Sequence, residues 1–163
     1  MKILQYDRTL AKEYAKKWAY QRNPEYYNYD VIGGDCTNFV SQCLFYGSKV
    51  MNYNQNGWYY NNANDKSPAW TGVEFLSKFL LNNKSVGPFA SLVKIEDLEL
   101  GDIIQLSFNE ESFGHSLIIV EKLGNSLDKI FVATHTFDSY GRKVSSYNYV
   151  KIRFLHIEGI RKW

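Results

Sequence analysis

Three observations predict an α+β fold. Segments in the first half repeat their apolar residues at helical spacing, and the second half switches to β-branched and aromatic runs. The links between those runs are too short for parallel crossovers, which favours antiparallel pairing. Helices first and a strand meander after them exclude an alternating βαβ design. At 163 residues the chain is read as a single domain, 1–163. With 45% hydrophobic and 22% charged residues it can build a core without disulfide or metal staples.

The first helix is expected over 8–21. Leu10, Tyr14 and Trp18 recur every four residues beside Ala11 and Ala15, with Asp7 or Thr9 as cap and Asn23-Pro24 as stop. The second spans 35–46, with Cys36, Phe39, Val40, Cys43 and Leu44 on one face and Gly47 as C-cap. Residues 48–70 read as a long aromatic loop. A third helix fits 72–82, with Thr71 and Glu74 as a capping box and Phe75, Leu76, Phe79 and Leu80 as its buried stripe. Strands follow at 102–108, 115–122, 129–136 and 149–157.

Composition narrows the partners. Nineteen basic and 17 acidic residues leave a net charge of +2, which gives no basis for binding nucleic acid. No apolar run approaches the ~20 residues of a membrane span. The start, Met1 to Arg8, lacks the apolar stretch of a secretory signal. Localisation stays open between a phage-type lysin, a delivered toxin and an excised domain. A monomer is expected. Aromatics reach 17%, many among Asn and Gly, as in Tyr53 to Tyr60. Such clusters suit either a stacking groove or a loop cover with wetted hydroxyls.

The chemistry concentrates in Gly33-Gly34-Asp35-Cys36-Thr37-Asn38. Asp35 stands at the N-cap position and Cys36 at the first helical residue. There the helix dipole and free amides favour a thiolate, so a lowered thiol pKa is expected. The alternative reading is a small buried core residue. Cys43 is read as core. Seven residues apart on one helix, the two sulfurs' backbones are about 10 Å apart, too far for a disulfide. His115 opens one strand and His135 ends the next, so the two are expected side by side at one sheet edge. His115 would be the base and His135 its orienter. His156 is read as structural. No Cys-x-x-Cys or His-Glu-x-x-His spacing supports a metal, and no cofactor is expected.

The segment Asp35 to Gln42, Asp-Cys-Thr-Asn-Phe-Val-Ser-Gln, resembles the signature of the putative amidase domain family, which is similar to papain-like bacterial peptidoglycan amidases and endopeptidases. Further matches run in order through Tyr14 to Ala19, Tyr26 to Tyr29, Trp58 to Tyr60, Ser67 to Trp70, Leu100 to Ile104, Gly114 to Ser116 and Thr134 to Asp138. The resemblance implies a papain-like fold with a cysteine-bearing helix packed on an antiparallel sheet. It implies Cys36 as nucleophile, His115 as general base and His135 as third residue, with Asp138 as the alternative. The implied substrate is peptidoglycan or a peptide, with Asp35, Asn38, Trp58 and Trp70 as candidate substrate contacts. A non-catalytic wall- or sugar-binding module and a papain-like acyltransferase or protease are the other classes considered.

Overall fold

The structure is a computed structural model that describes residues 1–163. It is α+β, with one seven-stranded antiparallel sheet and four helices. The order is β1 (Lys2–Leu4), α1 (Arg8–Trp18), α2 (Cys36–Ser48), a small hairpin β2 (Tyr60–Asn62) and β3 (Asp65–Lys66), α3 (Pro68–Thr71) and α4 (Val73–Asn82). Then come β4 (Gly87–Leu92), β5 (Ile103–Ser107), β6 (His115–Lys122), β7 (Ile130–Thr134), β8 (Ser139–Lys143) and β9 (Lys151–Lys162). No helix is long and apolar enough to cross a membrane.

The meander β5-β6-β7 forms as its sequence predicts, through pairs such as Ile103 with Ile118 and Ile118 with Ala133. The last strand does not extend the meander. It runs back to β5, pairing Ile103 with Leu155, and also carries β1 and β4. The central strands alternate between two cores. Ile118 and Val120 face α1, α2 and the tryptophans, while Leu117 and Ile119 face Leu98, Val144 and Tyr147. Helix α2 lies against β6 with Phe39, Val40, Cys43 and Leu44 fully buried. Each such aliphatic or aromatic side chain is worth roughly 1.5–3 kcal/mol of burial.

Helix ends depart from expectation in instructive ways. Asp7 caps α1 as expected, accepting from Leu10 N at 3.0 Å, but α1 stops at Trp18. Gly47 lies inside α2 and is not its cap; Lys49 takes the left-handed C-cap. A Cβ on Gly47 would meet Tyr6 Cε1 at 2.5 Å and Asp7 O at 2.6 Å, so glycine is needed where the N-terminal segment crosses the helix. The Thr71–Glu74 capping box does not form. Glu74 instead accepts the Phe113 amide at 2.9 Å, and Phe75 of the expected stripe is exposed. The region read as a loop, 48–70, contains the β2–β3 hairpin and a bridge between Asn52 and Trp58.

Candidate active site

Gly33 and Gly34 both take positive φ, 80° and 93°, and turn the chain sharply into α2. Asp35 is the N-cap residue, but its side chain makes no capping bond. The first-turn amides of α2, which have no intrahelical acceptor, are left to other partners. Cys36 is the first helical residue and is 6% exposed. Its sulfur lies 3.8 Å from Thr37 Oγ1, and hydrogen bonding from Thr37 and from the Ser116 backbone acts on its pKa. Burial still pushes the thiol above its ordinary value, with those hydrogen bonds opposing and the nearby Asp35 charge adding a little. The helix-start thiol is therefore protonated at rest, a correction to the expected lowered pKa. Cys43 is fully buried and free, as read from the sequence.

A polar relay fixes the sulfur's neighbours. Thr37 Oγ1 lies 2.9 Å from Ser116 Oγ, which accepts from Gln105 Nε2 at 3.2 Å. Gln105 also donates to Val73 O at 3.0 Å and accepts from Arg153 Nε at 2.8 Å. The relay locks α2, β5, β6, β9 and the start of α4 around one point.

His115 directly precedes Ser116, whose hydroxyl lies 2.9 Å from Thr37 Oγ1. It is 5% exposed and packs against Phe108 and Tyr147, with ring centroids 6.3 and 5.8 Å away. Burial, helped by the Arg142 charge, lowers its pKa to about 4. At neutral pH its imidazole is uncharged and able to accept a proton. No hydrogen bond joins the ring to Cys36 or to a third side chain.

His135 does not sit beside His115. It stacks on Phe39 of α2 at 4.1 Å, on the opposite side of the sheet from Tyr147. The physical reason is the register. Ile118 pairs with Ala133, and carrying that register two residues on sets His135 level with Ser116. Both ring nitrogens of His135 face acceptors, Nδ1 the Asp35 carboxylate at 2.5 Å and Nε2 the Trp18 carbonyl at 2.8 Å. Neither is left to orient His115. Asp138, the alternative, is also engaged, in two bonds from Arg22 at 2.9 and 3.0 Å. Arg22 pairs with Asp30 as well and lies 3.7 Å from Asp35.

The four expected substrate contacts are all buried. Asp35 accepts from Tyr29 N and Asn38 Nδ2, both at 2.9 Å, besides His135. Asn38 also donates to Tyr27 O and accepts from Trp70 Nε1 at 3.0 Å. Trp58 and Trp70 are fully buried, stacked 4.8 Å apart, and Trp58 Nε1 donates to Ser41 Oγ at 3.0 Å. These indoles hold α2 from within and line no groove. His156 is structural as read: its Nδ1 lies 2.7 Å from the fully buried Asp102, which also receives Arg8, Glu99 N and Ile157 N.

Residues 5–157 match the family described as "Putative amidase domain". The chain belongs to that family. It is also 33% identical over 142 residues to the Bacillus subtilis (strain 168) protein named "Uncharacterized protein YhbB", covering 85% of this chain and 44% of that protein. The chain thus spans less than half the length of the curated relative it matches. No solved structure matches it. Membership of the amidase domain family points to an amide hydrolase. Sequence reasoning missed Gln105 of the relay and Tyr147 against His115, whereas Thr37 and Ser116 carried a signal through the Asp-Cys-Thr-Asn and Gly-His-Ser segments.

Proposed function

We propose that this chain is a cysteine-dependent amide hydrolase of bacterial peptidoglycan with a papain-like arrangement. Cys36 is its nucleophile and His115 its base. The observation that carries the reading is Cys36 at the first residue of α2, with its neighbour Thr37 2.9 Å from the hydroxyl of Ser116, the residue directly after His115. In the step proposed, the Cys36 sulfur attacks the amide carbonyl while His115 takes its proton. The carbonyl electron pair moves to oxygen, where the unpaired Cys36 amide at the helix start receives it. His115 then protonates the leaving amine, and water hydrolyses the thioester with His115 again as base. General acid–base catalysis contributes roughly 10²–10⁴-fold and one oxyanion donor roughly 10²–10³-fold.

Because the resting thiol and imidazole are both neutral, proton transfer accompanies attack and does not precede it. The amide cut is either the sugar–peptide bond or one within the stem. Burial of Trp58 and Trp70 takes both indoles out of any sugar-stacking surface, which favours the hydrolase over a binding module. Incubation of purified peptidoglycan with the protein and with Cys36→Ala, read by mass spectrometry, tests the reading. Soluble stem peptides or split cross-links from the wild type alone are the expected result. Equal release by the variant overturns the thiol mechanism, and no release by either overturns the substrate.

A further inference from the structure

A cavity of about 360 Å³, the size of a small-ligand site, opens between α4 and the turn at Asn54–Gly57. Asn52 and Asn83 hold its wall rigid. Asn52 Nδ2 donates to Val86 O at 2.9 Å, and its Oδ1 accepts from Asn54 N at 2.8 Å. Asn83 Nδ2 donates to Val86 O and Pro88 O at 3.0 and 2.9 Å, and its Oδ1 accepts from Ser85 N at 2.9 Å. Other lining groups have no partner inside the protein. The side-chain amides of Gln55 and Asn56 make no internal hydrogen bond. Lys78 and Lys84 have no carboxylate within 4.0 Å, whereas Arg8, Arg22 and Arg153 each do. No Asp or Glu lines the cavity. Phe75 completes the lining. Expected in the buried stripe of α4, its ring is 58% exposed. It rests against Gly72, where a Cβ would meet Phe75 Cδ2 at 2.8 Å, so the ring is exposed and yet fixed in orientation.

These groups describe a ligand. An exposed, fixed ring offers a flat apolar face. Side-chain amides donate and accept at once, as hydroxyls and N-acetyl groups require. Two unpaired ammonium groups with no acid beside them select a negative charge. No strand edge lines the cavity for a peptide to extend. We propose that this cavity is a second binding site, one that takes an acidic saccharide. A sugar ring stacks on Phe75, its hydroxyls and N-acetyl groups bond Gln55 and Asn56, and its carboxylate meets Lys78 and Lys84. The inference rests on the peptidoglycan reading and extends it to the glycan. Cleavage of the sugar–peptide amide frees such a carboxylate on the sugar, so the site fits the stripped strand. Helix α4 begins at the polar relay, where Val73 O accepts from Gln105 Nε2 at 3.0 Å, and Phe75 lies two residues on. A glycan held there keeps the enzyme on the wall beside uncut stems and raises their local concentration.

The test titrates the intact, isotope-labelled protein, followed by NMR, with the disaccharide of N-acetylglucosamine and N-acetylmuramic acid, with its neutral counterpart di-N-acetylchitobiose, and with free stem peptide. None of these carries a sugar–peptide amide, so binding is read apart from cleavage. The acidic disaccharide is expected to bind about tenfold more tightly than the neutral one, the worth of one charge-assisted hydrogen bond. It should also shift the side-chain amide signals of Gln55 and Asn56. Phe75→Ala should weaken both disaccharides several-fold, and Lys78→Gln with Lys84→Gln should remove the difference between them. Thermal melts confirm that the variants are folded. No binding of either disaccharide, or binding that leaves Gln55 and Asn56 unmoved or survives Phe75→Ala, overturns the site. Equal binding of the two disaccharides overturns the acidic ligand, and tighter binding of the stem peptide overturns the saccharide. Cleavage of peptidoglycan without glycan binding removes the site and leaves the hydrolase standing. Glycan binding by a protein that releases nothing from peptidoglycan removes the hydrolase and leaves the site.

Discussion

His135→Ala separates a strut from a catalytic residue. The ring fills a site that is 1% exposed, stacks on Phe39 at 4.1 Å and joins the end of α1, through Trp18 O, to the Asp35 carboxylate before α2. Truncation leaves that carboxylate facing an empty space, with Asp35 itself 1% exposed. Breaking a buried pair by removing one partner costs about 3–5 kcal/mol. For a chain of this size each kcal/mol moves Tm by roughly 2–4 °C, so Tm should fall by about 6–20 °C. The assay is urea unfolding followed by circular dichroism, with the Cys36 alkylation rate measured on the folded variant at low temperature. The expected outcome is a large loss of stability and a Cys36 rate within about threefold of wild type, since no nitrogen of His135 reaches His115 or the sulfur. Loss of less than about 1 kcal/mol together with a Cys36 rate reduced a hundredfold would refute the reasoning and return His135 to the catalytic set.

Three further outcomes follow from the same geometry. Trp70→Ala should cost about 3–5 kcal/mol by opening the core and orphaning Asn38 Oδ1; urea unfolding checks this, and a stable variant with weakened substrate binding alone would place the indole in a groove. Gly47→Ala should lose about 1–3 kcal/mol, because its Cβ would meet Tyr6 and Asp7 at 2.5–2.6 Å, and thermal melting reads the loss. His115 has a folded pKa of about 4, below the ordinary value of about 6.5. The unfolded chain therefore binds its proton first on acidification, so stability worth about 3 kcal/mol is present above pH 6.5 and lost as pH falls towards 4. His115→Gln should flatten that part of the pH–stability curve, and an unchanged slope would place the titration elsewhere.

The legible parts of this fold are those whose signal is local. Helix α2 shows its stripe at Phe39, Val40, Cys43 and Leu44, and β5, β6 and β7 announce themselves by Ile103-Ile104, Leu117 to Val120 and Ile130 to Ala133. In the main sheet, β1, β4 and β8 went unread because they are short or lie at its margins, and β4 and β8 carry Gly87, Pro88, Gly141 and Arg142 where a buried strand would carry apolar residues. They form because β9 and β7 offer them unpaired backbone. At the site, Cys36 and His115 stand out because one opens a helix just past Gly33-Gly34-Asp35 and the other opens a strand directly after Gly114. The tryptophans were misread because their neighbours in sequence are polar, while the groups that satisfy their indoles, Ser41 and Asn38, stand on a helix that precedes them in the chain. His135 was misplaced by one step of register, which is enough to change faces in a strand.

The resting thiol follows from comparing magnitudes. A helix start favours a negative charge by roughly 0.3–1 kcal/mol when exposed and by about 2 kcal/mol at most when partly buried. Cys36 is almost wholly buried and lies next to Asp35, and both disfavour a thiolate. Asp35 cannot be dispensed with, because its carboxylate holds Tyr29, Asn38 and His135 and so sets the angle at which α2 begins. The residue that positions Cys36 therefore also opposes its ionisation. A neutral imidazole of low basicity would be a poor base for a free thiol. It becomes adequate if an acyl carbonyl draws the sulfur's electrons at the same moment.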